Sequence, residues 1–161
     1  MEQMVQLNSE AKLSEHFKLG ELTKSSSHPE VYNIPSHEAI ANLKRVCVWL
    51  EELRLRSGTP IIINSGYRSP QLNKKIGGVT TSNHLTGCAV DIRVSGMEQL
   101  IVYAAIIIQY ANETRQDFDE LLIEKRSASP LGSSKNRYGA IWLHFAVRAK
   151  GNRRHVAYIN A

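Results

Sequence analysis

His84 and Asp91 stand seven residues apart around Gly87, and His144 lies far downstream in the segment AIWLHFAV. Two imidazoles and a carboxylate are the borderline and hard donors that suit a hydrolytic zinc ion. A catalytic zinc takes three protein ligands and leaves a fourth position to water, whose pKa it lowers to about 7 while it polarises a carbonyl. Peptide hydrolysis at such a site also needs a carboxylate to take the water proton and pass it to the leaving amine. An arginine can hold a substrate carboxylate or the developing oxyanion. Glu124, closing FDELLIE, and Arg68, in the turn SGYRS, are available for these two roles. Cys88 lies between His84 and Asp91 but is not needed as a ligand, because the His/Asp pair already offers suitable donors.

Bringing these residues together is the task of the elements around them. The run Ile61–Asn64 follows Pro60 and reads as a strand buried on both faces. Ser69-Pro70 starts a short helix through Lys75, ended by Gly77-Gly78. VTTSNHLTGC is a loop that must turn at Gly87, and AVDIRV is the next strand. FDELLIEK (Phe118–Lys125) is a third strand, of loose alternation, and AIWLHFAVR a fourth, with Trp142, His144 and Ala146 on one face. Antiparallel pairing of these two strands would bring Glu124 and His144 to one sheet surface. HVAYIN reads as a final edge strand.

Two helices supply the packing. Ser36 is a good N-cap, and Ile40, Leu43, Val46, Cys47, Leu50 and Leu53 recur at helical spacing up to Ser57–Gly58. A second helix opens at Gly96 and Met97 and runs to about Ala111, with Leu100, Ile101, Ala104, Ala105 and Ile108 as its apolar positions. Residues 1–12 are polar and expected to fray. Ser14–Thr23 docks through Phe17 and Leu22, and Ser25–Ser36, rich in turn formers, wraps as a loop. SASPLGSSKNRYG is a flexible loop. No repeat or linker divides the chain, so residues 1–161 read as one domain.

A chain of 161 residues with 42% hydrophobic and 22% charged residues buries an ordinary globular core. The N-terminus lacks the regions of a signal peptide, which predicts synthesis in the cytosol, and no run suits a membrane span. Two cysteines make no disulfide framework, and Cys47 reads as a buried thiol. The net charge of +5 permits attraction to a polyanion. Its densest patch, Arg148–Arg154, reads as a solvated turn, and with no nucleic-acid motif present, nucleic-acid binding ranks last among the functions weighed. His16, His28, His37 and His155 are read as structural.

The segments SGYRSPQLNKKIGG and TSNHLTGCAVDI resemble the core of the zinc D-alanyl-D-alanine carboxypeptidases, the M15 peptidases, and most closely their phage and prophage branch. Ser82, His84, Gly87, Ala89 and Asp91 match an SxHxxGxAxD pattern, and Trp142 and His144 match a later WxH. The resemblance implies a small α+β fold of the Hedgehog/DD-peptidase type, with an antiparallel sheet flanked by helices. It implies zinc on His84, Asp91 and His144, and hydrolysis of peptide bonds in bacterial peptidoglycan stem peptides, as carboxypeptidase or endolysin-type endopeptidase. Arg68 would bind or stabilise the substrate, and Ser82 would help line the site. Trp142 is a wall of the cleft or part of the core. Several relatives carry the catalytic Glu three residues before the last His, a position that is Ile141 here. Glu124 resembles the position used in the phage-like branch, with Glu120 in reserve. The missing ExxH motivates an alternative, a binding module that keeps the fold and zinc without turnover. A monomer acting on muropeptides, with neither nucleic acid nor membrane as partner and released to the wall by lysis, completes the expectation.

Overall fold

The structure, a computed structural model, describes residues 8–25, 28–126 and 140–160. The SASPLGSSKNRYG segment, expected to be a loop, lies outside the described residues, as do residues 1–7 of the segment expected to fray.

Helix α1 (Leu19–Thr23) is followed, past residues 28–36 without helix or strand, by helix α2 (His37–Ser57). The Ser36 hydroxyl accepts from Ala39 N, and Gly58, at φ 70°, ends the helix in the left-handed region. A cap of this kind is worth about 1 kcal/mol, whereas each fully buried Leu or Val contributes about 1.5–3 kcal/mol. The buried stripe of Leu43, Val46, Cys47, Leu50 and Leu53 therefore does most to hold α2 against the sheet. Trp49 joins this face and packs edge-on to Tyr110 at 4.9 Å and against Phe145 at 5.4 Å.

Strand β1 (Ile63–Ser65), helix α3 (Pro70–Lys75), a 3₁₀ turn (Asn83–Thr86) and strand β2 (Ala89–Arg93) follow in order. The Ile61–Asn64 segment was expected to be buried on both faces, but Ile62 is 45% exposed while Ile61 and Ile63 are buried. β1 is the edge strand of an antiparallel ladder with β2, irregular between Ile63 and Ser65, so one of its faces meets water.

Helix α4 (Met97–Thr114) buries Leu100, Tyr103, Ile107 and Ala111; of the predicted stripe Leu100 is buried, Ala104 and Ile108 pack partly buried against the core, and Ile101 and Ala105 face solvent. Ile101 is 55% exposed. The helix carries apolar residues almost all round, so hydrophobicity alone does not choose its inner face. Tyr103 helps decide it: its ring is buried and its hydroxyl hydrogen-bonds Thr59 Oγ1 at 3.0 Å.

Strands β3 (Glu120–Lys125), β4 (Ile141–Ala146) and β5 (His155–Asn160) complete a sheet of order β1-β2-β4-β3-β5 among the described residues. The fold is α+β, as expected, but the sheet is mixed rather than antiparallel. β5 returns from β4 to lie outside β3, and so must run parallel to it. Phe17 and Leu22 are buried, as predicted for the docked N-terminal segment.

The sheet has two unlike faces, and its period of two sorts every strand between them. Val90, Ile92, Leu121, Leu143 and Phe145 belong to the helix-covered core. Their neighbours Asp91, Glu120, Leu122, Glu124, Trp142 and His144 point the other way.

Candidate metal centre

The geometry begins with the turn that carries Arg68. Asn33, in the wrapping segment, clamps that turn from both sides. Its amide nitrogen donates to Tyr67 O at 3.0 Å, and its amide oxygen accepts from Ser69 N at 2.6 Å. Gly66 passes so close to the chain at Leu22 that a Cβ would lie 2.3 Å from Leu22 O. Only glycine allows this approach, and it leaves the Gly66 carbonyl free to accept from His84 Nδ1 at 2.7 Å. With Nδ1 thus engaged, His84 turns Nε2 toward Asp91 Oδ1, 3.4 Å away.

The loop bearing His84 is built as tightly. The Ser82 hydroxyl accepts from His84 N and caps the 3₁₀ turn. Gly87 ends the turn at φ 77°, where a Cβ would meet Ala39 O at 2.5 Å. The predicted turn at Gly87 is therefore both left-handed and too crowded for another residue, and it delivers the chain directly into β2 and Asp91.

His144 arrives from β4, where it is the register partner of Asp91 on β2 and of Leu122 on β3. Its Nδ1 lies 3.0 Å from Asp91 Oδ1. The other carboxylate oxygen of Asp91 accepts from Arg68 Nη2 at 3.3 Å. His84, Asp91 and His144 each offer one ligand atom, all within 4.8 Å of one another, and all three residues are buried. They are the group of this kind found among the described residues. Two ring nitrogens and a carboxylate oxygen converging in a buried pocket match the donor set and ligand count of a zinc site.

The electrostatics agree with that convergence. Burial would raise the Asp91 carboxyl, but the adjoining His84 and His144 rings outweigh it and hold its pKa well below the usual range. Burial works against a charge on His144, yet hydrogen bonds to Asp91 and Glu120 push its pKa up. A cation, proton or metal, is thus favoured among these groups.

Glu124 and Trp142 face each other across the β3–β4 ladder on the same side of the sheet as His144, and Trp142 Nε1 donates to Glu124 Oε1 at 2.7 Å. Burial raises the Glu124 carboxyl above its ordinary value. Arg68 and Glu124 together line two adjoining hollows. One, of about 390 Å³, also takes in Ser82, His84, Glu120 and His144. The other, of about 620 Å³, takes in Asp91 and Trp142. Trp142 is thus a cleft wall, with Arg126 stacked over its ring at 5.7 Å. Each guanidinium nitrogen of Arg68 has a partner: besides Asp91 it donates to Ser65 Oγ at 3.2 Å and to Asn73 Oδ1 at 3.4 Å, which leaves one N–H on each terminal nitrogen.

A sequence profile of the family described as Peptidase M15 matches residues 15–125. The chain belongs to the peptidase M15 family. It is accordingly a member of a zinc-dependent metallopeptidase family, and the match spans Arg68, Ser82, His84, Asp91 and Glu124. Trp142 and His144 lie beyond the matched residues and rest on the geometry above. No curated protein matches the chain.

The M15 chain also carries a polar network that sequence reading overlooked. Arg148–Arg154 is not merely a solvated turn. Arg153 donates to both carboxylate oxygens of fully buried Asp119, and Arg148 Nε donates to Asn83 Oδ1 at 2.9 Å. Asn83 Nδ2 in turn donates to Asp119 Oδ2 and Glu120 Oε1, each at 2.8 Å. The sequence offers Glu120 only as a reserve base and points to no role for Asn83 or Asp119. The available signal was the acidic pair Asp119-Glu120 beginning a strand, set against a basic cluster with no other acidic partner nearby in sequence.

Cys88 is buried and outside the ligand group, as expected, and so is Cys47. His16 is tied to Glu51 at 2.6 Å, in keeping with its structural reading.

Proposed function

We propose that this M15 chain hydrolyses peptide bonds in the stem peptides of bacterial peptidoglycan, as a D-alanyl-D-alanine carboxypeptidase or an endolysin-type endopeptidase. The observation that carries the reading is the meeting of His84 Nε2, Asp91 Oδ1 and His144 Nδ1 on a sheet face that also presents Glu124. His84, Asp91 and His144 would hold zinc. When bound, zinc supplies Lewis-acid polarisation of the scissile carbonyl and acidifies the attacking water.

The chain's own residues do the rest. Glu124 takes a proton from the attacking water and passes it to the leaving amine. Its burial-raised carboxyl makes it a stronger base than a free glutamate. Trp142 fixes one carboxylate oxygen, which orients the other. Arg68, shared by both hollows, binds a substrate carboxylate or the developing oxyanion through the donors left over from Asp91, Ser65 and Asn73. Ser82 and Trp142 form walls on either side. The net charge of +5 favours encounter with an anionic cell wall, reached after release by lysis.

The test is digestion of purified muropeptides by the zinc-loaded protein, with products identified by mass spectrometry and Glu124→Gln as control. Cleavage of a stem-peptide bond, abolished in the control, supports the proposal. Zinc-loaded protein that binds cell wall but leaves every muropeptide intact across pH would instead establish a binding module without turnover.

A further inference from the structure

Metal-ligating histidines need their second ring nitrogen held, because that contact sets the tautomer and the ring angle. His84 meets this need through the Gly66 carbonyl. His144 meets it differently. Its Nε2 lies 2.9 Å from Glu120 Oε1, on the side of the ring opposite Asp91. We propose that Glu120 is the positioning residue of the metal centre: its carboxylate accepts the Nε2 proton of His144 and thereby presents the Nδ1 lone pair to the metal. This rests on reading His84, Asp91 and His144 as the metal ligands.

Glu120 is itself immobilised. Oε1 accepts a second hydrogen bond from Asn83 Nδ2 at 2.8 Å, and Oε2 accepts from Arg153 Nη2 at 3.3 Å. The amide orientation of Asn83 follows from its neighbours, because its nitrogen faces the acids Asp119 and Glu120 while its oxygen accepts from Arg148. Asn83 immediately precedes His84, so one residue ties the loop carrying the first histidine to the carboxylate holding the second.

The same contacts argue against Glu120 as the general base. Both its oxygens are occupied by donors from the protein. Glu124, among the described residues, is held through one oxygen by Trp142. The two glutamates thus divide the work: Glu120 orients a ligand, and Glu124 faces the substrate.

The experiment measures zinc affinity by competition with a chromophoric chelator, in the wild type, Glu120→Gln, Glu120→Ala and Glu124→Gln. Histidine side-chain ¹⁵N–¹H spectra of the zinc-loaded proteins provide a second readout. Glu120→Ala should weaken zinc binding by about 10–100-fold and speed exchange of the His144 Nε2 proton with solvent. Glu120→Gln keeps an acceptor oxygen, so it should weaken zinc less and retain the Nε2–H signal. Glu124→Gln should bind zinc as the wild type does. Equal zinc affinity in the wild type and both Glu120 variants overturns the positioning role while leaving the ligand set intact. A wild type that binds no zinc overturns the ligand set and the positioning role together. If Glu120→Ala fails to fold by circular dichroism, the comparison of Glu120→Gln with the wild type decides.

Discussion

Asp91 and His144 are direct register partners across the β2–β4 ladder, and the carboxylate Oδ1 of one lies 3.0 Å from Nδ1 of the other. Neither loop movement nor side-chain reach is needed to bring them together. The pairing of two strands with opposite faces, one in the core and one in the cleft, does it.

Because two of the three donors are built into the sheet, the site should load with zinc without large rearrangement. Elemental mass spectrometry is expected to find about one zinc per chain in the wild type and little in Asp91→Ala or His144→Ala. Zinc that binds the folded chain and not the unfolded one raises the melting temperature, so chelation should lower it in the wild type and leave both variants unmoved.

Glu124→Gln keeps the size of the side chain and its place opposite Trp142 but removes the carboxylate proposed as the base. Turnover of a cleaved muropeptide is expected to fall by about 10²–10⁴-fold with zinc content unchanged. A fall in zinc content to match the activity would place Glu124 among the ligands instead.

Gly66→Ala puts a methyl group 2.3 Å from the Leu22 carbonyl oxygen, with backbone on both sides and no flexible neighbour to give way. The urea midpoint should drop by the equivalent of roughly 1–3 kcal/mol. Zinc affinity should fall as well, because the Gly66 carbonyl that orients His84 must shift. A stability loss with unchanged zinc affinity would separate the two roles.

Asp119 links acid stability to the network beside the site. Burial would raise its pKa, but hydrogen bonds from Arg153 and Asn83 prevail and bring it to about 2, below the 3.8 of a free aspartate. A depressed folded pKa stabilises the native state fully above the unfolded value, and that contribution is lost as pH falls through the folded one. Wild-type stability should therefore decline between about pH 4 and pH 2, by roughly 2 kcal/mol from this group. Asp119→Asn should be less stable at pH 7 and show a shallower decline over that window in urea titrations.

Cys47 gives a check on the core. Burial pushes its thiol up to about 12. It should resist alkylation by iodoacetamide at pH 8 in the native protein and react once urea unfolds the chain, as peptide mass spectrometry would show.

Much of this protein is set by local chemistry and is legible without coordinates. The Ser36 cap, the α2 stripe, the stop at Gly58, the left-handed turn at Gly87 and the alternation of Trp142 and His144 follow from local patterns of residue type, although the crowding of Gly87 against Ala39 is a tertiary contact. The convergence of His84, Asp91 and His144 was legible because their residue types leave few other chemistries. What tertiary structure alone decided is long-range. The inner face of α4 was chosen by Tyr103 reaching Thr59, and the mixed sheet by β5 passing outside β3. Which of Glu120 and Glu124 meets Asn83, Arg153 and His144 is another long-range choice, and it falls on Glu120. Both glutamates lie on one face of one strand, and the resemblance that favours Glu124 as the base says nothing of the partners of Glu120. Their surroundings differ because partners from the Asn83 loop, from Arg153 and from the neighbouring strand are placed around each only when the chain is folded.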